Sequence, residues 1–184
     1  DSVYSFIPEL TGAIFGDDIV AGKMADPVNP DRIIETRVPL GGIVEYLTGI
    51  PMRVRGQAGQ GYLHSITEDA SEAAFTTITD NASIVRNAGV VLLCYGRWDA
   101  DEPIGAPNSI DPETVIGQLY KCVSAIQYYN PAARVVIVSP WNWMTDGATL
   151  NATIKEFCAN YSIAFVDMTN GPINSLNGDM MELG

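Results

Sequence analysis

The chain has 184 residues, 47% of them apolar, and a net charge of −12. That length suits one domain, and the apolar share is enough to build its core. The charge argues against nucleic acid as a partner, because a phosphate backbone is held by clustered lysine and arginine. The longest apolar runs, such as Gly89 to Tyr95, are far too short to cross a bilayer, so no membrane partner is expected. No basic stretch followed by an apolar one marks a leader at the start. The first residue is Asp1 rather than Met, which reads as a processed or excised piece. The expectation is a single soluble domain over residues 1–184, drawn from a longer chain, with extracellular and virion-associated locations both open.

The three cysteines, Cys94, Cys122 and Cys158, are odd in number and widely spaced. They form neither a disulfide framework nor a metal-ligand set, and read as small buried hydrophobes. No metal or other cofactor is implied. Asn81, Asn151 and Asn160 each begin an Asn-x-Ser/Thr triplet, a pattern common by chance.

Strand and helix signals alternate along the chain. Thr11 to Phe15 reads as a short strand running into Gly16-Asp17-Asp18. Pro39 to Leu47 reads as a helix that Gly49 caps. Met52 to Arg55 is a second strand, ending in the glycine-rich loop Gly56 to Gly61. Thr67 to Arg86 is mostly helical, with a break expected around Thr76, Thr77 and Thr79. Val90 to Tyr95 is a continuous apolar run, as in a buried parallel strand. A polar loop from Gly96 to Ile110 leads to Asp111-Pro112-Glu113, which reads as a helix start with Asp111 as N-cap. Val115, Leu119, Val123 and Ile126 recur at helical spacing as its buried stripe, and Asn130-Pro131 ends it. Val135 to Val138 is a strand, Leu150 to Tyr161 a helix, and Ile163 to Val166 a last strand closed by Asp167.

Such alternation implies an α/β fold, a parallel sheet with helices on both faces. Ligands in these folds bind beyond the carboxyl ends of the strands. Three loops are nominated by that rule: Gly16 to Gly22, Gly56 to His64, and Gly96 to Pro107.

The order and spacing of four short blocks in these positions resemble the SGNH (GDSL-type) hydrolases, a superfamily of esterases, lipases and carbohydrate deacetylases. Gly16-Asp17-Asp18-Ile19 stands where the family has Gly-Asp-Ser. Gly56-Gln57-Ala58-Gly59 stands for its second block, and Gly96-Arg97-Trp98-Asp99 for Gly-x-Asn-Asp. Asp179-Met180-Met181-Glu182 is the nearest match to Asp-x-x-His. The resemblance covers nearly the whole chain. It implies a three-layer sandwich, flavodoxin-like, with a central parallel sheet of about five strands.

Three defining residues of the family are substituted. Asp18 holds the position of the nucleophilic serine, Trp98 that of the oxyanion-binding asparagine, and Glu182 that of the histidine. Gly59 and Asp179 match their positions. A carboxylate at position 18 would repel a developing oxyanion, and a lost oxyanion donor costs roughly 10²–10³ in rate. The Trp98 indole N–H is a donor, but its bulky ring is not expected to reach an amide's place. Without a histidine at position 182 there is no base tuned near neutral pH.

Other residues stand as ligand candidates: Asp17, Arg97, Trp141, and His64, the one histidine of the chain. Asp17, Asp18, Asp99, Asp101, Glu102, Asp179 and Glu182 could converge as an oxygen-ligand cluster for Ca²⁺ or Mg²⁺, or remain solvated loop acids. Asp18 could itself be a nucleophile, as carboxylates are in some covalent mechanisms. Trp98, Trp141, Trp143, Tyr62 and Tyr95 are candidates for an aromatic platform under a sugar or acyl group; the alternative is that they pack the loops and that Trp98 fills a void.

Two function classes follow. The first is an SGNH-like domain without ordinary ester hydrolysis, binding glycan or acylated polysaccharide or assembling with other protein chains, as in fibre and surface proteins. The second is an esterase or carbohydrate O-deacetylase with an altered site.

Overall fold

The computed structural model describes residues 10–25, 33–35, 40–65, 73–139 and 147–168. Five parallel strands form the central sheet: β1 (Gly12–Gly16), β4 (Met52–Gly56), β5 (Val90–Cys94), β6 (Arg134–Val138) and β7 (Ala164–Val166), in the order β4-β1-β5-β6-β7. The chain thus starts in β1, steps to one side, then crosses back and grows to the other. This is the flavodoxin-like order, whose reversal opens a crevice between the first strand and its later neighbour. Here that crevice lies between β1 and β5, where Gly16 and Cys94 are in register. The three-layer α/β fold expected from the sequence is present.

Alternate residues of the strands feed two cores. Ala13, Phe15, Val91, Leu93 and Ile137 face α3 (Ala74–Asp80), α4 (Ala82–Arg86), α5 (Val115–Tyr129) and α6 (Gly147–Asn160). Ile14, Val54, Leu92 and Cys94 belong to the second core, with Val20 of α1 (Asp18–Ala21) and Leu40 and Val44 of α2 (Leu40–Thr48). Each large aliphatic side chain withdrawn from water contributes about 1.5–3 kcal/mol, so the larger core dominates stability. Cys122 and Cys158 are fully buried within it, as expected, whereas Cys94 is only half-buried. No helix among the described residues is long and apolar enough to cross a membrane.

Gly49 takes φ +70° and its N–H donates to the Glu45 carbonyl, closing α2 as expected. Other boundaries differ. The segment 73–86 breaks at Asn81, and the threonines lie inside α3. The turn after β1 holds the short helix α1, and a two-stranded antiparallel pair, β2 (Lys23–Ala25) and β3 (Ile33–Glu35), follows it. The stripe predicted for α5 is buried, but that helix starts at Val115 with Thr114 as its N-cap. Asp111 closes a turn ahead of it, its carbonyl accepting from the Thr114 N–H and its Oδ1 from the Glu113 N–H. The N–H groups of Val115 and Ile116 donate to the carbonyls of Pro103 and Ile104, so a loop satisfies the helix start.

Asn130 ends α5 and ties it to the chain before β5. Its Nδ2 donates to the carbonyls of Val85, Arg86 and Ala88, at 3.2, 3.3 and 2.9 Å. Its Oδ1 accepts from the Ala132 N–H. Asn130→Ala is expected to lower stability by about 1–2 kcal/mol in urea unfolding, because those carbonyls lose a shared donor.

Candidate functional site

Three neighbouring strand ends, those of β4, β1 and β5, deliver the nominated blocks to one place. Asp17 is the N-cap of α1, its Oδ1 accepting from the Ile19 N–H at 3.1 Å. Helix α1 lies across the ends of β1 and β4. A Cβ on Gly56 would stand 2.1 Å from the Ala21 nitrogen, so only glycine permits that approach. Gly59, at φ +79°, turns its N–H toward Asp18. On the far side Arg97, Trp98 and Asp99 form one 3₁₀ turn after β5.

The Asp18 carboxylate is held between these loops. Its Oδ2 accepts from the Trp98 indole Nε1–H at 2.5 Å and from the Gly59 N–H at 3.4 Å. The Arg97 Nη1 lies 3.7 Å from the same oxygen. The indole N–H therefore reaches the side chain at position 18. The 3₁₀ turn swings the ring so that its edge, not its face, meets position 18. Trp98 is 38% exposed.

His64 sits beside this group, its ring stacked on Trp98 with centroids 6.0 Å apart and planes at 23°. Its Nδ1 lies 3.1 Å from Glu102 Oε1. A carboxylate only accepts, so Nδ1–H is the donor of this contact. Arg97 also lies against this indole, 5.3 Å from the Trp98 ring centroid.

Among the described residues, the acids do not gather as a cation site would require. Asp99 turns inward and is fully buried. Its Oδ2 accepts from the Tyr62 N–H and its Oδ1 from the Leu63 and His64 N–H groups, at 2.7, 2.9 and 2.9 Å. Burial pushes its carboxyl up from the usual range, opposed by those amides. Asp101 is exposed, and Glu102 is engaged by His64. No group of three or more metal-ligating side chains forms among the described residues. Trp141, Trp143, Asp179 and Glu182 lie outside the described residues. Tyr62 and Tyr95, for which the sequence leaves both a platform and a packing role open, are buried against each other with ring centroids 5.3 Å apart. They are core, not platform.

An apolar recess of about 230 Å³ adjoins the site, lined by Leu40, Val44, Leu92 and Val138, with Asp17, Arg97 and Ser139 as its polar groups. Sequence patterning missed it, because it forms only where α2 and the ends of β5 and β6 meet.

Asp17 is almost wholly buried, and its carboxyl is pushed up to about 7, chiefly by burial. The unfolded chain gives up this proton near 3.8, while the folded protein keeps it until about 7. The contribution of this group to stability is therefore full below pH 4, is lost as pH rises through this window, and levels above it. Asp17→Asn keeps an acceptor for the Ile19 N–H and carries no charge. Its stability relative to wild type is expected to rise between pH 4 and 8, by on the order of a few kcal/mol at the upper end. Urea unfolding at the two pH values measures this.

No family model matches the sequence, and no curated protein is significantly similar to it. Solved structures are similar in fold. A protein from Lactobacillus plantarum aligns at 16% identity and TM-score 0.73, covering 96% of this chain and 86% of that one. Est24, a carbohydrate acetylesterase from Sinorhizobium meliloti, aligns at 15% identity and TM-score 0.64, covering 86% and 83%. The M. smegmatis aryl esterase aligns at 12% identity and TM-score 0.65, with the same coverage. A Bacteroides ovatus chain named for its likeness to the GDSL lipases aligns at 11% identity and TM-score 0.65. With the strand order and the three blocks at adjoining strand ends, these likenesses identify the fold of this chain as that of the SGNH hydrolases.

Proposed function

We propose that this is an SGNH hydrolase-like domain without ordinary ester hydrolase activity, serving in carbohydrate or cell-surface binding or as a structural domain of an assembled fibre or surface protein. One observation carries the loss of hydrolysis. The Asp18 Oδ2 accepts from Gly59 N–H and Trp98 Nε1–H, so the donors that would receive a substrate's oxyanion already hold the chain's own anion. Acyl transfer depends on donors aimed at charge that develops only in the transition state. Here the charge is present throughout, and Arg97 lies beside it. An incoming carbonyl oxygen would have to displace a tethered carboxylate and then build negative charge next to it.

A binding role has two supports. Trp98 and His64 offer half-exposed rings beside the site, and rings of this kind suit a ligand with both apolar and polar faces. The apolar recess next to Asp17 and Arg97 has room for a small apolar group.

The alternative is an esterase or carbohydrate O-deacetylase with an altered site. Its support is the His64–Glu102 pair, an imidazole oriented by a carboxylate, which is how a general base is held. Fold neighbours that include a carbohydrate acetylesterase and an aryl esterase are compatible with it.

Hydrolysis of p-nitrophenyl acetate and of an acetylated xylo-oligosaccharide separates the two. Wild type is expected to match the buffer blank. Turnover above the blank that is lost in Asp18→Asn would overturn the non-hydrolytic reading, and turnover lost in His64→Ala would establish the alternative. Asp18→Ser, tested alongside, reports whether emptying the donors of their anion is enough to admit an ester.

A further inference from the structure

On the opposite side of the sheet from α1 and α2, helices α3 and α5 enclose an open trough of about 360 Å³. Its floor is made of small side chains, Ser124 and Ala125 of α5. One turn before them on the same helix stand Tyr120 and Lys121; one turn after stand Tyr128 and Tyr129. The two rows, 120-124-128 and 121-125-129, each advance by four residues and so run side by side along the helix. They span about 12 Å. Phe75 and Thr79 of α3 form the facing wall.

Val115, Leu119, Cys122 and Ile126 anchor the buried side of α5 in the core, so its trough side has little freedom to rearrange. Tyr128 and Tyr129 meet edge to face at 5.5 Å, and Arg86 lies 5.3 Å from the Tyr129 ring centroid. Tyr128 is nonetheless 82% exposed. An aromatic ring exposed to water at the end of a trough is a contact surface without a visible core role.

The chemistry of the lining is selective. Its apolar area comes from ring faces, which pack against the C–H faces of a pyranose. Its polar groups are hydroxyls, from three tyrosines, Ser124 and Thr79, which match sugar hydroxyls as both donors and acceptors. The Thr79 hydroxyl donates to the Thr76 carbonyl, which leaves its oxygen to accept. The chain has 22 acidic residues and a net charge of −12, yet none of the trough's lining residues, among those described, is acidic. Its one charged group is Lys121, whose ammonium lies 4.5 Å from the Phe75 ring centroid. Within the trough that ammonium is the group a ligand's carboxylate would pair with.

We infer that the trough between α3 and α5 is a saccharide-binding site, accepting one or two sugar rings that carry a carboxylate, with Tyr128 as the stacking ring and Lys121 as the acid's partner. It is independent of the Asp18 site and of whether that site is silent.

The test is a titration of ¹⁵N-labelled protein with digalacturonic acid, with α-1,4-galactobiose as its neutral counterpart, and with acetate as the bare carboxylate. Saturable shifts in α3 and α5 are expected with digalacturonic acid, weaker ones with galactobiose, and none with acetate. Tyr128→Ala, an exposed position whose loss leaves the core intact, is expected to weaken binding at least about tenfold. Lys121→Gln is expected to bring the two disaccharides level. Ser124→Phe fills the floor and is expected to abolish binding, with an unchanged urea midpoint confirming the fold. Shifts that gather around Asp18 and Trp98, binding unaltered by Tyr128→Ala, or no saturable shift would overturn the inference. So would sedimentation showing that the same residues pair two copies of the chain.

Discussion

The contact on which the site depends is the close seating of α1 on the ends of β1 and β4. A side chain at Gly56 would collide with the backbone of that helix, and one at Gly16 would meet Val20. Because both are glycine, the helix can drop onto the sheet, and position 18 arrives at its mouth rather than above it. The flavodoxin-like strand order then places β5 on the other flank of β1, so that Gly59 and Trp98 approach position 18 from two directions. Position 18 is thereby set among donors from two loops, and the group it presents to them is a carboxylate.

What that group does follows from charge. A hydroxyl at position 18 would leave the surrounding donors for a ligand, whereas a carboxylate uses them itself. Each acid of the Asp17–Asp18 pair meets a different environment. Asp17 is withdrawn among apolar groups and keeps its proton to near neutrality, while Asp18 faces an indole N–H, an amide and a guanidinium. Two adjacent carboxyls therefore play separate parts, one a neutral cap for a helix and the other an anion inside a ring of donors.

Much of the fold was legible because periodicity reports burial. The Val90 to Tyr95 run and the Val115, Leu119, Val123, Ile126 stripe lie where an apolar pattern has one physical explanation. The helix start at Val115 was not legible. Asp111 and Thr114 are both good caps three residues apart, and the choice is settled by the carbonyls of Pro103 and Ile104, which are remote from any local signal. In the site, glycine and acid motifs correctly pointed to three strand ends. The reach of the Trp98 indole, the inward turn of Asp99 and the burial of Tyr62 and Tyr95 all depend on how loops fold over one another, and spacing does not encode that. The trough between α3 and α5 escaped notice for a related reason: its tyrosines look like ordinary helix residues until α3 is set beside them.

The inward turn of Asp99 also has a dynamic consequence. One carboxylate binds the amides of Tyr62, Leu63 and His64, and it belongs to the same 3₁₀ turn that carries Trp98. The loop bearing Gly59 and the turn bearing Trp98 are thereby stapled together. Neither can swing away from the other without breaking three hydrogen bonds at once, so the two loops open as one cooperative unit. Their amide protons would exchange with solvent as a set rather than one by one, and the region would behave as a hinged plate instead of two independent flaps.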